Sequence, residues 1–220
     1  MERQIITTDD GSVTIYIPEM NESYHSKFGA IQEAYHVFIQ NGLALTEGRP
    51  VSILEAGFGT GLNAFITFFE SEKTGQSIRY TGIEAYPVNP GEVSHLNYVS
   101  QLNAFDKQSV FDLMHDCPWD KEINISENFT LLKSQQRFEQ INDGDRYDLI
   151  YFDAFGYHAQ PELWSVSIFD KMHNALKKNG ILVTYACRTV IKNAMIEAGF
   201  TTRKVPGPPG KREMLIARKF

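Results

Sequence analysis

The chain has 220 residues, enough for one domain of ordinary size with a small appendage. Hydrophobic residues make up 42% and charged residues 22%, which argues against disorder, collagen or coiled coil, and apolar runs such as 147–155 fall short of the ~20 residues that cross a bilayer. The formal net charge of −6 disfavours a surface coated for nucleic acid, while two cysteines, Cys117 and Cys187, without CxxC spacing argue against a disulfide framework or zinc knuckle.

Residues 4–18 predict a hairpin: two β-branched runs flank Asp9-Asp10-Gly11-Ser12, a turn that wants positive φ at its glycine. Ile31, Ala34, Tyr35, Phe38 and Ile39 then fall at helical spacing, with Asn41-Gly42 as the stop. Residues 1–48 thus form an N-terminal extension of hairpin and helix ahead of a main domain over 49–220.

From residue 51 strand and helix alternate. A strand over 51–56 ends in a glycine-rich turn, and Leu62, Phe65, Ile66 and Phe69 give a helical face. A second strand is expected over 78–85, a helix over 93–102 and a third strand over 129–132. The run 147–152 is too apolar for a half-exposed strand and is assigned to the centre of the sheet. A helix from Trp164 to Leu176, stopped by Lys177-Lys178-Asn179-Gly180, leads to a fifth strand over 181–185. A helix over 189–198 and strands near 200–205 and 213–218 complete the pattern. Residues 105–128 read as an irregular insertion packed on the sheet edge.

Such alternation gives an α/β fold with a parallel sheet covered on both faces. The short loop before the final strand leaves no room for a helical crossover, so that strand must run antiparallel.

The clearest chemical signal is Leu54-Glu55-Ala56-Gly57-Phe58-Gly59-Thr60-Gly61-Leu62-Asn63, between a strand and a helix, the context of a nucleotide-binding turn. A dinucleotide fingerprint would need glycine at position 62, which is leucine. The spacing G-x-G-x-G instead resembles motif I of class I S-adenosylmethionine-dependent methyltransferases. Glu84, 23 residues beyond Gly61 and at the end of the second strand, can accept hydrogen bonds from both ribose hydroxyls. Glu55, at the tip of the first strand, can meet the ammonium group of that cofactor.

The fourth strand ends in Asp153-Ala154-Phe155, on a strand adjacent to the first in this fold class. Asp153 should therefore face the sulfonium methyl, with Phe155 and Tyr157 as flat surfaces for a planar substrate. The six histidines show no HxH or HExxH spacing, so no metal site is expected. No G-x-S-x-G occurs, which removes the serine-hydrolase reading.

From residue 188 onward the chain carries eight basic residues (Arg188, Lys192, Arg203, Lys204, Lys211, Arg212, Arg218 and Lys219) against only Glu197 and Glu213. Such asymmetry points to one face made for an anion. The loop Pro206-Gly207-Pro208-Pro209-Gly210-Lys211-Arg212 emerges on the active-site edge, where Lys211 and Arg212 can meet phosphates.

Five segments resemble the methyltransferase domain of MnmC and its stand-alone relatives, called MnmD. They are Tyr24-His25-Ser26-Lys27-Phe28-Gly29-Ala30-Ile31-Gln32-Glu33-Ala34, Glu55 to Asn63 as quoted above, Asp153-Ala154-Phe155, Pro161-Glu162-Leu163-Trp164 and Gly210-Lys211-Arg212-Glu213-Met214. They occur in the family's order and span nearly the whole chain. The resemblance implies a class I, Rossmann-like fold with a seven-stranded sheet and S-adenosyl-L-methionine as cofactor. The reaction implied is methyl transfer to the aminomethyl nitrogen at C5 of the tRNA wobble uridine, giving 5-methylaminomethyl(-2-thio)uridine. It maps the catalytic aspartate onto Asp153 and the cofactor glycines onto Gly57, Gly59 and Gly61. The cofactor set is completed by Glu55, Glu84, Thr60 and Asn63 of the turn, and Ser26 of the first segment.

The expected partner is tRNA, through its anticodon region, in the cytoplasm, with no membrane, metal or flavin domain involved. Many relatives carry a flavin-dependent oxidase domain, for which 220 residues leave no room, so methylation alone is expected. Where some relatives place Gly-Asp after the third strand to meet adenine, this chain has Lys133-Ser134-Gln135. Two other readings use the same features: a methyltransferase for a small-molecule amine or hydroxyl, and a non-catalytic module that binds cofactor or tRNA.

At its ordinary pKa of about 3.9, Asp153 would be a poor base for an amine near ~10.4. It is expected instead to stabilise the charge that builds on nitrogen and to aim the lone pair.

Overall fold

The computed structural model describes residues 2–46 and 48–220. The N-terminal β-branched runs pair antiparallel as β1 (Gln4–Thr7) and β2 (Val13–Ile17), and a two-residue β3 (Glu22–Ser23) adds to β2. Asp10 of the hairpin turn brings Oδ2 to 3.1 and 3.2 Å from the N–H groups of Ile31 and Gln32, satisfying donors that a helix start leaves free. That helix, α1 (Ala30–Ala34), continues as π-helical turns over Tyr35–Gln40. Its buried face holds Ala30, Glu33, Ala34, Val37 and Phe38. The expected stripe is thus rotated slightly, leaving Ile31 and Tyr35 half-buried.

The rest of the chain builds one sheet. β4 (Val51–Ala56) leads through the glycine turn to α2 (Leu62–Thr74), then β5 (Ile78–Ile83). Two short helices follow, α3 (Pro90–Val93) and α4 (Tyr98–Gln101), where a single helix over 93–102 is expected. The break has a purpose: Asn97 accepts the Val13 N–H at 2.8 Å and donates to the Gly11 carbonyl at 2.9 Å, tying the main domain to the hairpin.

The insertion 105–128 is more regular than expected. It holds α5 (Gln108–Asp116), which buries Phe111 and Met114, and β6 (Glu122–Ser126). β6 pairs antiparallel with β7 (Phe129–Ser134), so the seven expected strands gain an eighth at the edge. Then come β8 (Tyr147–Phe152), α6 (Val166–Ala175), β9 (Leu176–Thr184), α7 (Thr189–Glu197), β10 (Thr201–Pro206) and β11 (Glu213–Arg218). Residues 177–180 do not cap α6. They belong to β9, where Asn179 at φ 66° accompanies a register shift against β8.

The sheet order is β10-β11-β9-β8-β4-β5-β7-β6, with β11 antiparallel to both neighbours. β8 is buried along its whole length, as a central parallel strand must be. Residues of α1, α2, α4 and α5 pack on one face with Phe65, Tyr80 and Tyr151, and those of α6 and α7 on the other with Leu54, Ile150 and Phe152. No helix among the described residues is long and apolar enough to cross a membrane.

Candidate active site

β4 and β8 are parallel neighbours with Ala56 opposite Phe152. Their following loops therefore leave the sheet side by side, at the carboxyl edge where open α/β sheets bind ligands. The approach is tight. Gly57 has φ 98°, and a Cβ there would lie 2.5 Å from the Asp153 carbonyl oxygen. Only glycine fits both the torsion and the space. Gly59 and Gly61 also have positive φ, at 50° and 73°, and Gly61 opens α2.

Two hollows flank this junction. The first lies over the glycine turn and is walled by Gly57, Gly59, Thr60, Asn63 and Glu84, with Phe138 across from them. Glu84 receives the N–H groups of Gly59 at 3.0 Å and Tyr86 at 2.8 Å. Those two bonds occupy one lone pair on each carboxylate oxygen and leave the others for hydroxyls. The second hollow is walled by Phe155, Tyr157, Tyr185, Glu33, Lys211 and Arg212. Asp153 belongs to both, as do Tyr24 and Phe155. The rings of Tyr24 and Phe155 meet edge-on, 5.1 Å between centroids. The Trp164 indole N–H, 2.8 Å from the Phe155 carbonyl, fixes that loop.

Asp153 stands in the shared wall, its Oδ2 2.8 Å from Asn63 Nδ2. Burial pushes its carboxyl up to about 7, with the nearby charge of Glu33 adding to the effect. Asn63 Nδ2 also donates to Glu55 Oε1 at 2.8 Å.

The structure places three of the expected site residues apart from the first hollow. Glu55 is fully buried and lines neither hollow, because it sits beneath Asn63 on the central strand. Burial lifts its carboxyl well above the usual range, which favours the neutral form over an anion facing an ammonium. Asn63 belongs to the first hollow's wall, and its buried Oδ1 has no partner among the described residues. Ser26 lies in the second hollow, not the first, its N–H 2.9 Å from Glu33 Oε2. Lys211 lines the second hollow, where its ammonium is turned to an ion pair with Glu33. Arg212 stays exposed, and no ion pair engages it among the described residues.

Thr60 is buried and accepts the Tyr98 hydroxyl at 2.9 Å, which holds the turn in the first hollow's wall. Lys133 is 1% exposed, its Nζ bonded to the His115 carbonyl and 4.9 Å from the Trp119 ring centroid. The walls beyond the third strand come instead from Arg137, Phe138 and Glu139.

Sequence reasoning missed Glu33 and His25. Glu33 had a signal: it is the one acid among Ala30, Ala34 and Val37 on a buried face. His25 touches both hollows, with Nδ1 3.0 Å from Thr14 Oγ1, and burial lowers it to about 4, so its ring is neutral.

A family model described as S-adenosyl-L-methionine-dependent methyltransferase matches residues 120–220. A protein of Burkholderia multivorans named tRNA 5-methylaminomethyl-2-thiouridine biosynthesis bifunctional protein MnmC is 30% identical over 94% of the chain. Over residues 120–220 the chain is similar to the S-adenosyl-L-methionine-dependent methyltransferases. A Leptospira interrogans protein of the same name is 28% identical over 90% of the chain. The chain spans about a third of these relatives, 33% and 32% of their lengths. The crystal structure of MNMC2 from Aquifex aeolicus superposes with a TM-score of 0.73 over 98% of this chain and 70% of that one. At 20% identity that likeness establishes the fold. The resemblance to the methyltransferase part of MnmC thus holds across 90% or more of the chain.

The first hollow suits S-adenosyl-L-methionine. The glycine backbone at Gly57 and Gly59, the Glu84 carboxylate and Asn63, whose Oδ1 has no partner among the described residues, offer a close backbone, a diol acceptor and a polar contact for its ammonium end.

Proposed function

We propose that this methyltransferase methylates the aminomethyl nitrogen at C5 of the tRNA wobble uridine, giving 5-methylaminomethyl(-2-thio)uridine. The observation that carries the reading is Asp153 in the wall between the two hollows, aimed by Asn63 at 2.8 Å. The names of the relatives, which speak of 5-methylaminomethyl-2-thiouridine in tRNA, support the substrate.

S-adenosyl-L-methionine, bound in the first hollow, supplies a sulfonium methyl whose transfer breaks one S–C bond and leaves a neutral sulfide. The substrate amine enters from the second hollow as an ammonium and must first lose a proton. With an ordinary carboxylate the gap to an amine near ~10.4 would be about 6.5 units, roughly 9 kcal/mol. With Asp153 pushed up to about 7, the gap narrows to about 3.4 units, roughly 5 kcal/mol, and the apolar ring of Phe155 lowers it further by disfavouring the ammonium. Asp153 is thus a better base than its residue type suggests.

Near neutral pH it populates both forms, so it takes the ammonium proton at Oδ and passes it to solvent through the open hollow. Ionised again, it accepts an N–H bond that points the nitrogen lone pair at the methyl, and it stabilises the positive charge that builds on nitrogen as the N–C bond forms.

The nucleic acid meets the rim of the second hollow, where Arg188 lies 5.7 Å from the Tyr157 ring centroid and Arg212 is exposed. The anticodon region of tRNA is the partner in this reading, and the cytoplasm its location. Mass spectrometry of tRNA nucleosides after incubation with labelled S-adenosyl-L-methionine tests it. Label recovered in 5-methylaminomethyl(-2-thio)uridine supports the reading. Label on the free nucleoside as readily as on tRNA, or no transfer at all, overturns it.

A further inference from the structure

Two charged groups beside Asp153 have no part in the steps above. Glu33 sits on the buried face of α1, 7% exposed. Lys211 reaches it from the loop between β10 and β11, across 178 positions of sequence. The Lys211 ammonium also lies 4.3 Å from the centroid of the Tyr185 ring, and the Tyr185 hydroxyl donates to the Ala154 carbonyl at 2.8 Å, next to Asp153. All four side chains face one hollow.

An ion pair is a poor choice if the aim is only to join α1 to a loop. Apolar residues of similar volume serve as well or better, since two charges must be desolvated. A pair facing a ligand hollow beside the reacting acid has a chemical use. Negative charge at Glu33 favours the protonated form of Asp153, and positive charge at Lys211 opposes it.

We propose that the Glu33–Lys211 pair is a positioning device for the transfer, setting how readily Asp153 takes up the amine proton and gives it back. This deepens the amine-methylation reading and rests on it. Glu33 keeps Asp153 basic enough to accept, and Lys211 keeps it acidic enough to release. The other titratable groups around Asp153 are Glu55 behind it through Asn63, His25 and Tyr24 from the N-terminal segment, Tyr185, and Glu84, Arg137, Glu139 and Glu162 on the first hollow that it also lines. Glu22, paired with His158, and Arg188, Arg212 and Glu213 stand further out on the same hollow. His25 is neutral, and burial keeps Tyr185 protonated, so the pair is the charge that can be varied.

The test is a carbon-13 carboxyl NMR titration of Asp153, identified by its loss in Asp153→Asn, in the full chain without RNA or cofactor. Glu33→Gln should lower the midpoint by about one pH unit, and Lys211→Met should raise it by a similar amount. The double variant should return toward wild type. In turnover on tRNA carrying 5-aminomethyluridine, the acidic limb of kcat/KM should move in the same directions.

A joint with no other role would lower Tm in both variants while leaving both midpoints within about 0.2 units of wild type, and that result overturns the proposal. If one variant does not fold, the direction of the other decides. Because the titration needs no substrate, failure of tRNA methylation would remove the functional reading while this measurement still gives its own answer.

Discussion

Asn63 holds Asp153: its Nδ2 lies 2.8 Å from Asp153 Oδ2, while the same amide reaches Glu55 Oε1. The acid in the wall of both hollows thus owes its aim to the first turn of α2. Asn63→Leu keeps the volume and removes the donor. Turnover at saturating cofactor should fall by about a hundredfold, with a stability loss of about 1–3 kcal/mol from the partner left bare. Steady-state kinetics and urea unfolding measure the two effects.

The raised pKa of Asp153 has a sign in both activity and stability. Protonated Asp153 cannot accept the amine proton, so kcat/KM should decline as pH drops below about 7. For stability the folded chain holds a proton that the unfolded chain has lost, between the ordinary carboxylate value of 3.8 and about 7. Folding is therefore favoured at the acid end and weakens as pH rises through that window. Asp153→Asn should raise Tm at pH 8 more than at pH 4, while turnover is lost. An equal Tm shift at both values would contradict this.

At Gly57 the constraint is geometric. Gly57→Ala combines φ 98° with a backbone contact of 2.5 Å, and should cost at least about 2 kcal/mol. Gly59→Ala would meet the Tyr24 ring at 2.9 Å, a side chain that can shift. Thermal unfolding should rank Gly57→Ala as the more damaging of the two.

Lys133 and Phe138 separate two ideas of where the cofactor's base lies. Lys133 is enclosed beneath Trp119, whereas Phe138 lines the first hollow. Calorimetry should find S-adenosyl-L-methionine binding within about twofold of wild type in Lys133→Met, and weaker by about tenfold in Phe138→Ala.

Arg212 and Lys211 adjoin in sequence and differ in use. Arg212→Ala should reduce the salt slope of tRNA binding by about one, the mark of a lost phosphate contact. Lys211→Met should leave that slope unchanged, because its charge is spent on Glu33. Cofactor affinity should be indifferent to salt in every case.

Much of this was legible beforehand because it is local. The apolar runs at 51–56 and 147–152 became the adjacent parallel strands β4 and β8, and the glycine turn fell where the spacing put it. Long-range partners were not legible. Asn97 breaks a helix to hold Gly11, and the direction of Lys211 depends on a carboxylate 178 positions away. α5 was missed because its apolar face is narrow, two buried residues in nine. Glu55 looked like a strand-tip acid, yet a central strand buries its tip as well as its middle.

The position of β11 also bears on synthesis. Among the described residues β10 bonds only to β11, and β11 lies between it and β9. During translation β10 therefore emerges with no edge to join, and waits until residues 213–218 have cleared the ribosome. Assembly of that flank, and with it the closure of Lys211 on Glu33, is deferred until β11 is made, so a nascent chain stalled before residue 213 carries a half-walled hollow.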